Sequence, residues 1–365
     1  MKKILCFFKS EPVLSVAAVL AFVSCFFVLP DSEYINYCNF EVLGILFSLM
    51  LVVAGLKTSG LFEVATEKLS SKITNEKTII AALTMMCFFS SALITNDVAL
   101  ITFVPFSLEL LKNQKKKSII FAVTMETIAA NLGSLSTPIG NPQNLFLYSY
   151  YSMSIGEFFK ITLPLAAVCL ALIVCLLCVK RSETLSGDNV GQNTDLSKPT
   201  LVVYLLLFAL CILSVLGIVP WYISLAVICM VVLFKDKNLF AKADYILLVT
   251  FVCFFVFVGN MARIDVINTT VSKMLIGREI VFSAFLSQII SNVPAAAMLA
   301  SFTADAKGLI LGTNIGGLGT LIASMASLIS YRYISKTEKV KSGEYILFFS
   351  CLNFALLIVL LFIFN

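Results

Sequence analysis

Gly133-Ser134-Leu135-Ser136-Thr137-Pro138-Ile139-Gly140-Asn141-Pro142-Gln143-Asn144 cuts an otherwise apolar run, and its reading decides the fold. A shorter interruption, Ile94-Thr95-Asn96-Asp97, precedes it. The second half of the chain repeats the order, with Ser291-Asn292-Val293-Pro294 preceding Gly312-Thr313-Asn314-Ile315-Gly316-Gly317-Leu318-Gly319-Thr320. At membrane depth, backbone released from a helix is tolerated only where protein or a watery cavity satisfies its N–H and C=O groups. Paired breaks at corresponding positions of two halves therefore point to the binding site of an alternating-access transporter.

Composition makes membrane depth the relevant setting. The 365 residues are 59% hydrophobic and 13% charged, with a mean hydropathy of +0.99. Soluble chains are about half apolar and about a quarter charged. Apolar runs of roughly 17–25 residues, enough to cross a bilayer, recur along the whole length. The chain reads as an all-α polytopic membrane protein whose outer surface meets lipid. The first run, 13–30, comes after Met1-Lys2-Lys3 but lacks a small-residue cleavage pattern, so it reads as a helix rather than a signal peptide.

Several chemistries find no support. The formal charge of +5 implies no nucleic-acid partner, because the basic residues sit between spans. The eleven cysteines are scattered through apolar runs and frame neither disulfides nor a metal site. Cys175 and Cys178 form a C-x-x-C inside an apolar helix and read as small hydrophobes. Histidine is absent, which removes the usual pH switch and the commonest metal ligand. No H-E-x-x-H, no G-x-S-x-G elbow and no nucleotide-binding P-loop occurs. A membrane-embedded enzyme and ATP-driven transport are therefore disfavoured, and no cofactor is expected.

Positive residues prefer the cytoplasmic side, which orders the segments. The amino terminus is expected inside, 13–30 runs out, 40–56 returns, and 57–77 is an amphipathic stretch. Runs 79–94 and 98–111 are short for spans, and the lysines flanking them want the same side, so 78–111 reads as a re-entrant hairpin. A broken helix, 118–153, then crosses and 158–179 comes back to a polar linker, 182–198. The lone span 200–219 inverts the second half relative to the first. That half comprises 221–234, 245–258, an amphipathic stretch 262–277, a second hairpin 279–303, a broken helix 308–334, and 345–364 ending outside. All lysines and arginines fall inside in this arrangement except Lys160, Arg263, Lys273, Arg278 and Lys307. The expected protein is a multi-pass protein of the cytoplasmic membrane with about nine spans and two hairpins. Residues 1–181 form one inverted repeat, 182–219 a linker and connecting helix, and 220–365 the second repeat.

Helices that start at mid-membrane present unsatisfied N–H groups and partial positive charge, which bind anions. Unwound carbonyls at the same depth bind cations. The helices after Asp97 and Pro294, and those resuming after Pro142 and Gly319, are expected to meet at the midplane. Thr95, Asn96, Ser291 and Asn292 also read as ordinary N-caps, but two copies, each paired with a broken helix, favour a site. Asp97 is the one acid at a tip. An ionised carboxylate at that depth costs at least about 2.5 kcal/mol, so Asp97 is expected to hold Na⁺ or carry a proton. Glu126 reads equally as a second carrier or a snorkelling side chain, and Lys160, Arg263 and Asp265 as interfacial anchors. No lysine or arginine falls at the expected midplane, so a multivalent anion there would need helix ends and co-bound cations.

These motifs resemble the ion-transporter superfamily, which includes divalent-anion:sodium symporters, citrate permeases, arsenite efflux permeases and a Na⁺/H⁺ antiporter branch. Residues 134–144 look like its first broken helix, Thr95-Asn96-Asp97 and Ser291–Pro294 like its two hairpin tips, and Gly312–Thr320 like its second broken helix. The resemblance covers most of the chain. It implies a homodimer whose substrate domain moves like an elevator, carrying a small carboxylate or oxyanion coupled to Na⁺ or H⁺. By position it implies that Asn96 and Asn292 touch substrate and cation together. It further implies that groups around Gly133, Thr137, Asn141, Gly312, Thr313 and Asn314 complete two cation sites, with Na⁺ near Asn96, Asp97 and Asn292. Asp97 and Val293 replace the hydroxyl residue found after the tip asparagine in the dicarboxylate branch. The Asn-Asp tip and glycine-rich second break look more like the arsenite/citrate-permease side, where proton coupling is common. A Na⁺/H⁺ antiporter with Asp97 as carrier is the alternative.

Overall fold

A computed structural model describes residues 12–70, 75–180 and 196–365. Among the described residues the chain is helical and contains no strand. The first half comprises α1 (Pro12–Ser24), the short α2 (Glu33–Tyr37), α3 (Phe40–Thr58), α4 (Leu61–Ser70), α5 (Glu76–Ile94), α6 (Asn96–Leu110), α7 (Lys116–Ser134), α8 (Pro142–Tyr150) and α9 (Ile155–Val179). The second comprises α10 (Lys198–Val215), α11 (Trp221–Asp236), a 3₁₀ turn (Lys237–Lys242), α12 (Tyr245–Ala262), α13 (Asp265–Leu275), α14 (Glu279–Ile290), α15 (Asn292–Leu299), a 3₁₀ turn (Ala300–Phe302), α16 (Ala306–Ile315), α17 (Met325–Ile334) and α18 (Ser342–Phe364). The helices α3, α5, α9, α10, α12 and α18 are long and apolar enough to cross a membrane. This is an all-α polytopic membrane protein.

Local chemistry sets the helix ends. Asn39 Oδ1 accepts from Val42 N at 3.1 Å and starts α3, where Glu41 in the first turn and Lys57 in the last match the helix dipole. Ser154 and Glu157 form a capping box on α9. Pro142 opens α8, where a missing N–H costs nothing, and Asn141 Oδ1 accepts from Asn144 N at 2.9 Å. Asp244 caps α12 and Asp305 caps α16 in the same way.

The most apolar helices are not the most buried. Helices α9 and α18 bury only 33% and 22% of their most apolar stretch. Helix α7, which carries Thr124, Glu126, Thr127, Asn131 and Ser134, is buried along almost its whole length. It packs against α5, α6, α9, α17 and α18. Helix α16, with Gly312, Thr313 and Asn314, is buried from Gly308 to Ile315. Polar side chains go inside because lipid offers them no partner.

Packing recurs in matched pairs across the halves. The α5–α7 contact is mirrored by α14–α16, α6–α17 by α15–α8, and α1–α12 by α11–α3. Helix boundaries differ from the sequence expectation in places. The second interruption is expected at 312–320, but α16 continues through Ile315 and α17 begins only at Met325. Gly312, Thr313 and Asn314 are therefore helical, because the hydrogen-bond ladder runs on as far as Gly316 N, which donates to Gly312 O at 2.7 Å. The first interruption likewise narrows to 135–141, leaving Gly133 in the last turn of α7. The expected linker lies mostly outside the described residues.

Close helix approach depends on small residues. A Cβ on Gly55 would lie 2.1 Å from the buried ring of Tyr204, where α3 crosses α10. Gly156 faces open space. Gly55→Ala should therefore destabilise the protein by about 1–3 kcal/mol, read as an earlier thermal unfolding transition in detergent, while Gly156→Ala leaves that transition in place.

Candidate functional site

Two turns with the same unusual backbone define the site. Thr95 joins α5 to α6 with φ 78° and ψ 150°, and Ser291 joins α14 to α15 with φ 79° and ψ 153°. This region of backbone space is essentially reserved for glycine and costs of order 1–3 kcal/mol per residue. Neither side chain caps the helix that it precedes. The ordinary N-cap reading therefore does not explain why Thr and Ser occupy these positions.

The strained turns are held from opposite them by the breaks. Asn96 N donates to Gly140 O at 3.1 Å, and Asn292 N donates to Ala323 O at 2.9 Å. The side chains extend the match. Thr137 Oγ1 donates to Ala92 O, and Thr320 Oγ1 donates to Gln288 O at 3.2 Å. The Asn131 side chain accepts from Asn96 Nδ2 (3.1 Å) and Ser324 Oγ (2.9 Å), and reaches Ser327 Oγ at 3.4 Å. Its counterpart Asn314 accepts from Asn141 Nδ2 at 3.1 Å and donates to Asn144 Oδ1 at 2.6 Å. Each half thus places an asparagine of its buried helix against the restart of the other half's broken helix.

These equivalences are visible in the sequence once the structure supplies the register. Residues 130–144 align without a gap on 313–327, pairing Asn131 with Asn314, Gly133 with Gly316, Thr137 with Thr320, Asn141 with Ser324, and Asn144 with Ser327. Sequence reasoning named Asn141 and Asn314 but missed Asn131, Asn144, Ser324 and Ser327. It also missed Gln288, whose Nε2 donates to the carbonyls of Gly316 and Leu318 at 2.9 Å each, and whose Oε1 accepts from Thr320 N. In the first half Asn144 Nδ2 takes the matching task for Leu135 O and Thr137 O.

Four helices begin at one point. A void of about 10 Å³ is bounded by Asn96 and Asp97 of α6, Pro142 and Gln143 of α8, Asn292 and Val293 of α15, and Ser324 and Met325 at the start of α17, with Leu247 closing it. That is room for roughly one water-sized occupant. The first-turn N–H groups and positive dipole ends of four helices surround it, an arrangement that favours negative charge. The void adjoins a cavity of about 680 Å³ that Asp97, Pro142, Leu247 and Met325 also line, together with Thr95. Its walls are mostly apolar, from α1, α3, α12 and α17, and its far rim carries Lys57, Lys242, Asp244 and Arg332.

The sequence-predicted residues divide into three groups. Asn96, Asp97 and Asn292 meet at the void, with Asn141 and Asn314 in the network directly behind it. Thr95 lines the large cavity, Ser291 is buried and reaches Ala323 O, and Thr137 is spent on Ala92 O. The remainder lie further off. Thr313 Oγ1 bonds back to Leu309 O within its own helix. A Cβ on Gly133 would lie 2.0 Å from Phe88 O, and one on Gly312 2.0 Å from Ser283 Oγ, so both glycines seat a buried helix against its neighbour. Glu126 is fully buried on α7, accepts from Ser107 Oγ of α6, and leaves its second oxygen without a partner. Asp97 Oδ1 is also buried and unpartnered. Arg263 pairs with Asp31 at 2.8 Å beyond the end of α12.

Removing Asn131 would leave the Asn96 amide and the Ser324 hydroxyl unsatisfied; removing Asn314 would leave Asn144 Oδ1 without its donor and Asn141 Nδ2 with Ser134 Oγ alone. Asn131→Ala and Asn314→Ala should each cost about 1–3 kcal/mol of stability, measured by unfolding in detergent, and the two losses should be similar in size.

Comparison with known proteins completes the assignment of the scaffold. A family model described as citrate transporter matches residues 4–308. The chain is 32% identical over 336 residues to an uncharacterized transporter of Methanocaldococcus jannaschii, covering 91% of each chain. It is 28% identical over 288 residues to the inner membrane protein YbiR of Escherichia coli, covering 78% of this chain and 77% of that one. A silicon efflux transporter of Oryza sativa subsp. japonica is 30% identical over 171 residues, covering 47% of this chain and 35% of the other. With four helix starts around one polar void and a family match over most of its length, this chain belongs to the citrate transporter family of membrane proteins.

Proposed function

We propose that this protein is a secondary active transporter for a small anion, a carboxylate or an oxyanion, coupled to Na⁺ or H⁺. The observation that carries the reading is the convergence of the α6, α8, α15 and α17 amino termini on one void, with no lysine or arginine among the residues that line it. Helix ends supply positive potential without a fixed cation, so the site attracts an anion and still releases it. The relatives named as transporters support the class.

Asp97 supplies the coupling. Its carboxylate lines both the void and the adjoining large cavity, which is the space with room for the incoming anion. Two negative charges in a low-dielectric pocket repel strongly, so the anion enters only when a proton or Na⁺ neutralises Asp97. The same logic supports co-transport over simple diffusion. The unpartnered Oδ1 of Asp97 also supports a second reading, a Na⁺/H⁺ exchanger in which Asp97 is the ion carrier and no anion moves.

The two halves are read as inverted repeats. The matched packing pairs, the matched strained turns and the gapless register of 130–144 on 313–327 support that reading. In it, α5–α6 and α14–α15 are re-entrant hairpins and α7–α8 and α16–α17 are broken helices. The hairpins and broken helices form the body that moves, as an elevator, past a scaffold that includes α1, α3 and α12. The basic rim of the large cavity corresponds to the cytoplasmic side, so the conformation described opens inward. The protein then lies in the cytoplasmic membrane with its amino terminus inside, and a homodimer is the assembly this mechanism needs for a fixed scaffold.

The test is uptake into proteoliposomes of citrate, succinate, sulfate and arsenite, with Na⁺ and pH gradients imposed separately. At least one anion should accumulate in response to one gradient. Asp97→Asn should abolish the response to the gradient while the protein remains folded; wild-type accumulation by that variant would remove Asp97 from the coupling step. Asn96→Ala and Asn292→Ala should each raise KM about tenfold, the equivalent of one lost hydrogen bond to a charged group. Gradient-driven Na⁺ exchange without movement of any anion would establish the exchanger reading instead.

A further inference from the structure

We infer that Lys57, Lys242 and Arg332 form an anion-holding vestibule, a second binding site that selects substrates carrying two or more negative charges. The inference rests on the anion-transport reading and deepens it by naming the substrate class.

Three residues from three separate elements supply the site. Lys57 lies in the last turn of α3, Lys242 ends the 3₁₀ turn before α12, and Arg332 is on α17. All three line the same cavity of about 680 Å³ that reaches Thr95 and Asp97. None forms an ion pair within 4.0 Å among the described residues. Some lysines at this end do so, Lys112 with Glu109, Lys116 with Glu344 and Lys180 with Glu76, while Lys235, Lys237 and Lys341 do not among the described residues, so what sets these three apart is the cavity they share. Lys57 lies within electrostatic reach of Lys242 and of Glu63. Asp244, the remaining acid at the rim, is committed to capping α12 through Leu247 N at 2.9 Å.

A preference for cations on the cytoplasmic side explains why basic residues are near this end. It does not explain why three of them face one cavity without ion-pair partners among the described residues. Lys57 and Lys242 repel each other; Lys242 and Arg332 are exposed and Lys57 is half-buried, so water screens them on the outer side, while the apolar walls, among them Leu46, Leu49, Val53 and Leu328, weaken that screening toward the cavity. An anion between them relieves that repulsion. The same lining carries Asp97 and Asp244; once Asp97 is neutralised the three cations exceed the acids by two, a difference that a dianion balances and a monoanion does not. The terminal site contains no cation, so the discrimination by charge that the helix ends cannot make is made here. Lys57 belongs to α3 and Lys242 to the 3₁₀ turn packed on α3 and α11, while Arg332 belongs to α17, which packs on α6 and α7. A bound polyanion thus also bridges the two bodies between which movement is proposed.

The experiment compares wild type with the Lys57→Gln/Lys242→Gln/Arg332→Gln triple variant, full length, in membrane vesicles of both orientations. Citrate, sulfate and arsenite are the probes, and the triple Lys57→Arg/Lys242→Arg/Arg332→Lys variant is the charge-conserving control. The neutralised variant should show a KM about tenfold higher for the multiply charged anion, from the cavity face only, and should lose the ionic-strength dependence of uptake. The charge-conserving variant should retain wild-type KM and salt dependence, which separates charge from folding. Unchanged KM and salt dependence in the neutralised variant, or an equal rise for uncharged arsenous acid, would overturn the vestibule while leaving anion transport standing. A wild type that moves none of the probes in either orientation overturns both.

Discussion

Everything in this protein depends on satisfying backbone polar groups where lipid cannot. Two helix pairs turn inside the protein, and each turn leaves amide and carbonyl groups that would cost several kcal/mol apiece if left bare. The solution is the same twice: Asn96 N donates to Gly140 O, and Asn292 N donates to Ala323 O. A strained turn is anchored to a broken helix, and the broken helix is anchored by the turn.

The site grows out of that constraint. Once two turns and two restarts are locked together, four helix amino termini necessarily point at the space between them. Their N–H groups and dipoles give the centre a positive potential without a cationic side chain. Asp97 is the ionisable asymmetry between the two turns, because Val293 stands at the equivalent position. Of the two matched turns only the first thereby carries a titratable group, with its Oδ1 buried and unpartnered, beside a cavity that Lys57, Lys242 and Arg332 also line.

The interior asparagines and glutamine satisfy the freed backbone and one another. Asn131 and Asn314 each connect one half's buried helix to the other half's restarting helix. Gln288 and Asn144 hold the carbonyls of the two breaks by different means. The different means show that the demand lies in the backbone, since unlike side chains meet it. Glycines 133, 312 and 55 allow the close approach that brings these groups within bonding distance.

Much of this is legible in the chain alone. Apolar runs and their length define the helices, because only helices satisfy their own backbone in lipid. The Thr95-Asn96-Asp97 and Ser291–Pro294 interruptions mark where satisfaction must come from elsewhere, and the absence of lysine and arginine near them is equally plain. What the sequence does not contain is the partner of each freed group. Gly312 and Thr313 look like part of a break yet remain helical, because neighbouring helices allow the hydrogen-bond ladder of α16 to continue. Asn131 looks like an ordinary helix residue, and only packing against α17 turns it into the hub that Asn96 and Ser324 share. The convergence of four helix starts, and of Lys57, Lys242 and Arg332 on one cavity, joins residues far apart in the chain. Those juxtapositions are decided by tertiary packing, since the sequence specifies which groups need partners and only the folded arrangement decides which partners they find.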